Sequence, residues 1–389
     1  MLLAPVFVSS SHGYDTIDYF NVDPRLGTNA DLVWLIETCH AHNVRIVLDG
    51  VFNHVGRLFP QFVDVRMHRQ SSQYASWFNI NWSDTNNEDG FSYANFEGHQ
   101  RLVKLNHDNH HVQNFVTQVM THWLNMGIDG WRLDASYAVP LSFWRQVLYD
   151  VRNKFPDAWF LGEVIHGDYK SFVKEGHLES ITQYELWKAI WSALNDRNFF
   201  ELSHALSRNT TFNQSFLPNI FLGNHDVTRI ASALTDDRHL AHAVAILLTV
   251  PGTPSIYYGD EQGYKAVKEK RAGGDDAIRP GFPATPEQFT EPDWNVFQLY
   301  RELIELRHNN LWISSALLKT ISLSNQFFVY ETAYGAQCLQ VALNVGDGLG
   351  QLAISHNCQV LRAGTAYKSG NDWQIPAHSL AIFGPDGPE

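Results

Sequence analysis

The sequence predicts an α/β chain whose parallel sheet closes as a (β/α)8-type TIM barrel, with a small all-β domain after it. Three observations lead there. Short apolar runs alternate with helix-periodic stretches from the start of the chain to about residue 310, the pattern of repeated βα units. Acidic residues (Asp49, Asp134, Glu163, Asp226 and Asp260) lie in or just past the ends of those runs, and a barrel collects its chemistry at the C-terminal ends of its strands. No Gly-rich phosphate fingerprint follows the early runs, so a doubly wound sheet has no specific signal behind it.

In chain order, the first expected strand covers residues 2–8, and a helix with Leu32, Leu35, Ile36 and Cys39 on one face follows it. The next strand covers 44–52. A polar, aromatic stretch then runs to about Leu105, too long for an ordinary connection, so 55–105 reads as an inserted domain. The following helix carries Val112, Phe115, Val116, Val119 and Trp123, and Gly127 stands where a C-terminal cap would. Further strands are expected near 130–135, 158–164, 181–186, 219–224 and 255–258, each leading into a helical pattern. The last helix carries Val296, Leu299, Tyr300, Leu303 and Leu306. The catalytic barrel is therefore assigned 1–54 and 106–310. Over 311–389 helix signals stop, and short runs at 327–331, 337–344, 351–354, 359–362 and 379–383 are separated by Gly turns, as in an antiparallel β domain.

The 389 residues are 44% hydrophobic and 18% charged, enough for a large core and unlike a disordered chain. No apolar run approaches the roughly 18 residues of a membrane span. With 28 basic against 41 acidic residues the net charge is -13, which argues against a nucleic-acid partner held by its phosphates. The aromatic content of 13% suits a binder of sugar rings, which need flat apolar faces with polar edges. Cys39, Cys338 and Cys358 lack the close spacing of metal sites, and Cys338 with Cys358 is the one disulfide pairing left open.

Three strand ends carry the chemistry. Gly130-Trp-Arg132-Leu-Asp134 places Arg132 and Asp134 two apart, so their side chains share a face. A guanidinium beside a carboxylate favours the ionised form that a nucleophile needs. Gly162-Glu163-Val ends another strand with one acid behind apolar residues, where desolvation favours the protonated form of a general acid. Gly223-Asn-His225-Asp226 ends a third. Singly, these read as a structural Arg–Asp pair, a helix-capping Glu and an Asx turn. Together, two carboxyl groups flanking a bond with an oxocarbenium-like transition state describe glycoside hydrolysis. A metal hydrolase is the minority reading, because His54, His166 and His225 lie on separate segments without the i, i+4 spacing of a zinc motif.

The same residues form a family signature. Asp49-Gly-Val-Phe-Asn53-His54 and the three motifs above occur in order, with His12-Gly-Tyr14-Asp15 upstream and Gly252-Thr-Pro-Ser-Ile-Tyr-Tyr-Gly-Asp260-Glu261 downstream. With them the chain resembles the α-amylase family of retaining α-glucan enzymes along its whole length. The resemblance implies Asp134 as nucleophile, Glu163 as acid and then base, and Asp226 as the residue that binds sugar hydroxyls and stabilises the transition state. It implies that Arg132 orients Asp134, that His54 and His225 hydrogen-bond the sugar, that Tyr14 stacks beneath its ring, and that Arg279 frames the site. It also equates 55–105 with the family's B domain and 311–389 with its C domain.

Two positions depart from the calcium-binding members. Lys104 stands where an Asp ligand is usual, and Ala138 where a His serves both calcium and the acceptor sugar, while Asn53 fits one ligand position. Calcium takes six to eight oxygens, so no metal is expected, and no cofactor. The stretch Val103-Lys104-Leu105-Asn106 resembles the cyclomaltodextrinase, neopullulanase and oligoglucosidase branches, which implies action on α-1,4-linked malto-oligosaccharides or cyclodextrins. The alternatives are an α-glucan transglycosylase or sucrose-type hydrolase, and a non-catalytic barrel acting as an interaction protein. In the family the His12 motif follows the second strand, so seven barrel strands are expected here, with the first strand and helix missing from an N-terminally incomplete version of a longer enzyme. The expected partner is an oligosaccharide substrate, with neither nucleic acid nor membrane, and a cytoplasmic location is favoured.

Overall fold

The computed structural model describes residues 1–271, 273–285, 288, 294–353, 358–362 and 364–385. The chain divides into two compact units, Met1–Ile181 and Thr182–Glu389. The first is built on five parallel strands, Leu2–Leu3, Val47–Gly50, Gly130–Leu133, Trp159–Gly162 and Ser180–Ile181, each paired with the one before it in that series. Helices Asn29–Ala41, His110–Asn125, Leu141–Arg152 and Tyr169–Gly176 lie between them in sequence, the order of successive βα crossovers. In the second unit Asn219–Phe221 pairs in parallel with Thr253–Ser255, and Thr182 bridges in parallel to Asn219. Seven parallel strands are present among the described residues.

The parallel strands are shorter than their apolar runs, and three runs change structure partway along. Pro5 has no N–H to donate and interrupts residues 2–8. Leu2–Leu3 therefore joins the parallel sheet, while Phe7–Ser9 turns away to pair antiparallel with Thr16–Val22. The run 181–186 stops as a strand at Ile181, because Tyr184, Leu186, Ala189, Ile190 and Ala193 are buried at helical spacing in Tyr184–Asn195. The run 255–258 is the end of a strand at Thr253–Ser255. Its tyrosines, Tyr257 and Tyr258, pack their rings on the Arg229 guanidinium, 4.0 and 5.1 Å from the centroids.

Local signals fix several ends. Thr28 and Asp31 close a capping box on Asn29–Ala41, and Gly127, with φ of 105°, follows His110–Asn125. Residues 55–105 hold the helix Pro60–His68 and short antiparallel pairings, His54–Gly56 and Asn95–Phe96 on either side of His99–Lys104, and Ile80–Asn81 with Ser92–Tyr93. Aromatic edges fill that segment: Phe62 meets Phe78 and Tyr93 with centroids 5.0 and 4.9 Å apart.

The last helix, Trp294–Asn309, buries Val296, Leu299, Tyr300 and Leu303 as the spacing predicts, while Leu306 is partly buried. Arg307 on the same helix is also buried and donates to the carbonyls of Leu248, Val250 and Gly252 at 3.0, 2.9 and 2.6 Å. Beyond it the chain is antiparallel β. One sheet contains Leu317–Leu323, Phe327–Tyr334, Gln337–Asn344, Ser379–Pro385 and Cys358–Arg362, and a second contains Gly350–Ala353, Asp372–Ile375 and Tyr367–Ser369. Leu317–Leu323 escapes the sequence pattern because it is an edge strand with only Leu318 buried. The pairing of Cys338 with Cys358 falls on a side chain outside the described residues. Among the described residues no helix is long and apolar enough to cross a membrane.

Burial pushes three histidines, His54, His107 and His242, down to about 4. An unfolded imidazole titrates near about 6.5. A lowered folded value means stability that is fully present above that pH and lost as pH falls through 4. Stability is expected to drop by up to about 3 kcal/mol per group across this window. Urea unfolding at pH 7, 6, 5 and 4.5 checks it, and a midpoint that does not move would contradict it.

Candidate active site

In the first unit three acids meet on one guanidinium. Arg132 lies directly beside Asp49 in the parallel register, so both side chains leave the sheet on one face. Arg132 Nη1 donates to both oxygens of Asp49, at 2.7 and 2.6 Å, and to Asp134 Oδ1 at 3.1 Å. Its Nη2 lies 2.9 Å from Glu163 Oε1. All four residues are buried. Burial opposes the charge of Arg132, yet the neighbouring carboxylates, Asp49 and Glu163 foremost, raise its pKa well above the ordinary value.

Asp134 and Glu163 each stand one residue past a strand, and the ladder continues through them, from Asp134 N–H to the Gly50 carbonyl and from Glu163 N–H to the Leu133 carbonyl. The chain then turns at Ala135, whose φ of 44° lies in the left-handed region that a residue with a Cβ rarely adopts. That turn aims Ala135 N–H at Glu163 Oε2, 2.8 Å away. The expectation of Glu163 as a lone acid among apolar neighbours is therefore corrected. The residues beside it in sequence are apolar, but the adjacent strand supplies Arg132 and the following turn supplies an N–H donor.

Tyr14 and His54 adjoin this cluster. Tyr14 donates its hydroxyl to Asp49 Oδ2 at 3.0 Å, and its carbonyl lies 3.1 Å from His54 Nε2. His54 Nδ1 faces Asn53 Nδ2 at 3.1 Å, and the ring stacks on Phe96 with centroids 4.8 Å apart. Burial keeps the imidazole neutral at working pH. Assigned from these partners, the proton sits on Nε2 toward Tyr14, and Nδ1 accepts from Asn53. Both ring nitrogens are thus engaged within the chain, and His54 braces Tyr14.

In the second unit His225 Nε2 lies 2.9 Å from Asp226 Oδ2. Arg279 donates to Asp226 Oδ1 and Asp275 Oδ2, both at 3.0 Å, and through Nε to the His225 carbonyl at 2.8 Å. Asp226 N–H is held by Asn224 Oδ1 at 2.8 Å, an Asx turn. Arg279, which sequence alone read as a loop residue, is a clamp on this pair. The preceding Ile278 carbonyl accepts from buried Arg229, which also binds Asp260 at 2.9 Å, and burial pushes Asp260 up to about 6.

Two residues bear on the expectation that no calcium binds here, Asn53 and Lys104. Asn53 Oδ1 is buried with no hydrogen-bond partner among the described residues, and across the strand pairing Lys104 stands opposite His54. Among the described residues, the group of three His or acidic side chains close enough to share an ion is Asp236, His239 and His378, in the second unit. There the imidazoles bond to each other, Nε2 to Nδ1 at 3.0 Å, and Asp236 is occupied by Arg238 at 2.6–3.1 Å. Activity is expected to survive EDTA dialysis with less than a twofold loss. A tightly bound calcium in elemental analysis, lost together with activity, would contradict this.

Sequence reasoning placed Asp49 at a strand end without seeing that both its oxygens accept from Arg132 Nη1. Glu97 and Phe96 were not singled out at all, although Phe-Glu-Gly in a segment rich in aromatics marks a turn.

Residues 1–284 match the α-amylase catalytic domain. The chain is 32% identical to a cyclomaltodextrinase of a Bacillus species over 329 residues, 82% of this chain and 57% of that protein. It is 33% identical to the maltogenic α-amylase of Bacillus acidopullulyticus over 316 residues, 79% and 52% of the two chains. It therefore spans about half the length of the curated relatives it matches. Among solved structures it superposes on a cyclomaltodextrinase with a TM-score of 0.87 at 28% identity, covering 99% of this chain and 68% of that one. On the Nostoc punctiforme debranching enzyme the TM-score is 0.84 at 28% identity, covering 98% and 85%. The fold is a TIM barrel with a C-terminal antiparallel β domain, and the chain belongs to the α-amylase family.

Proposed function

We propose that this chain carries the active site of a retaining α-glycoside hydrolase acting on α-1,4-linked malto-oligosaccharides or related α-glucans. The observation that carries the reading is the single guanidinium bonded to Asp134 through one nitrogen and to Glu163 through the other. Retention follows from the family resemblance, with one carboxyl group as nucleophile and the other as acid and then base. Asp134, oriented by Arg132, attacks the anomeric carbon while Glu163 protonates the departing oxygen, leaving a glycosyl ester on Asp134. Glu163 then takes a proton from water, whose oxygen attacks the same carbon and frees Asp134. Asp226, oriented by His225 and Arg279, is assigned to the sugar hydroxyls, and Tyr14 to the ring face. The catalytic barrel is assigned 1–54 and 106–310, the B domain 55–105 and the C domain 311–389.

The substrate class is supported by the likeness to a cyclomaltodextrinase and a maltogenic α-amylase. The test is the product set from maltoheptaose, a cyclodextrin and sucrose, with the first-formed anomer read by proton NMR. Short malto-oligosaccharides released as the α-anomer are expected. A β-anomer would overturn retention. Lengthened oligosaccharides or cleaved sucrose would favour the transglycosylase or sucrose-type alternatives.

A further inference from the structure

Asn95–Phe96 and His99–Lys104 form a hairpin closed by the two-residue turn Glu97-Gly98, with Phe96 paired to His99. The φ values of Glu97 and Gly98 are 51° and 84°. Two positive φ angles in succession are the arrangement that favours Asn or Asp before Gly, because their short side chains tolerate the left-handed region. Glu has no such advantage. A residue held in a disfavoured conformation invites the question of what its side chain does.

Glu97 is exposed, and its Oε1 accepts a hydrogen bond from the Tyr137 hydroxyl at 2.9 Å. Tyr137 in turn donates its backbone N–H to the Glu163 carbonyl at 3.3 Å. Burial first, and the Glu97 carboxylate second, raise the Tyr137 hydroxyl well above its ordinary value, so it remains a donor at any working pH. At the other end of the turn Phe96 stacks on His54, which braces Tyr14. The turn therefore reaches from the Tyr14–His54 side of the acid cluster to its Glu163 side. A carboxylate offers about four acceptor positions, and Tyr137 takes one. Acceptors at the rim of an aromatic ring are the combination that sugar hydroxyls and faces call for.

We propose that Glu97, held against Tyr137, is a specificity-determining residue that binds hydroxyls of the leaving sugar, on the side of the scissile bond that Glu163 protonates. The proposal rests on the assignment of Glu163 as proton donor. It accounts for Glu in a turn that would be better served by Asn. The same contact would seat an acceptor sugar when the glycosyl ester is resolved, so it also bears on the partition between water and sugar.

The test compares maltotriose, whose leaving group is a sugar, with nitrophenol release from 4-nitrophenyl α-maltoside, whose leaving group has no hydroxyls to bind. In Glu97→Asn the ratio of kcat/KM for maltotriose to that for the aryl glycoside is expected to fall about 10–100-fold. The melting temperature should be unchanged or higher, because Asn suits the turn. Tyr137→Phe should move the ratio in the same direction by a smaller factor. An unchanged ratio, whether both substrates suffer equally or neither does, would overturn the proposal by giving Glu97 a structural role or none. If the parent chain cleaves neither substrate, the glycosidase assignment itself fails, and this proposal falls with it.

Discussion

Asp134→Asn is expected to lower kcat on maltoheptaose by about four orders of magnitude or more, with folding retained. The amide has the size of the carboxylate but neither its charge nor its nucleophilic oxygen, so no glycosyl ester can form. The fold has little reason to fail. Arg132 Nη1 keeps both oxygens of Asp49 and Nη2 keeps Glu163, and the contact to Asp134, at 3.1 Å, is the longest of the four. The backbone bond from residue 134 to the Gly50 carbonyl does not depend on the side chain. Initial rates with circular dichroism and urea unfolding separate the two effects. Turnover within tenfold of the parent would remove Asp134 from the mechanism, and a large loss of stability would make the rate uninformative.

Arg132→Met should show the opposite balance, a loss of stability as large as its loss of activity. It removes the cation but leaves Asp49, Asp134 and Glu163 buried together, at 0%, 6% and 6% exposure. Stranding a buried partner typically costs about 3–5 kcal/mol, and three acids on one face put this site at the upper end. Arg132→Lys keeps a positive charge but offers a single ammonium where two guanidinium nitrogens now serve three carboxylates. It should recover part of the stability and little of the activity. The check is the urea midpoint of the three chains. If Arg132→Met unfolds within 1 kcal/mol (about fivefold in the equilibrium constant) of the parent, the guanidinium does not hold the acids together.

Much of this arrangement could be read from the sequence because it is local. Arg132 and Asp134 share a face by the two-residue period of a strand, and Gly127 caps a helix whose apolar face is periodic. The bond from Arg132 to Asp49 spans 83 residues and depends on the register between two strands, which no local pattern encodes. Glu97 and Tyr137, 40 residues apart, meet between a hairpin turn and a short 3-10 helix, which no local pattern encodes either. Apolar content misled where its use was not a strand. Tyr257 and Tyr258 pack on a cation, and Tyr184 and Leu186 belong to a helix. Pro5 was the visible warning inside residues 2–8, and an absent N–H explains the break there.

The register that sets Arg132 beside Asp49 also bears on how faithfully the sheet assembles. A slip of one residue between Gly130–Leu133 and Val47–Gly50 would exchange the two faces of the moving strand. Trp131 and Leu133, both 0% exposed, would point where Arg132 now does, and Asp49 would face them with no counter-ion. Apolar side chains tolerate many approximate packings, so hydrophobicity alone discriminates poorly between neighbouring alignments. Uncompensated buried charge discriminates sharply, since each wrong alignment leaves it unpaired. The acid cluster would thus act as a parity check on strand alignment, drawing on Arg132, Asp134 and Glu163, to which the proposed mechanism also turns.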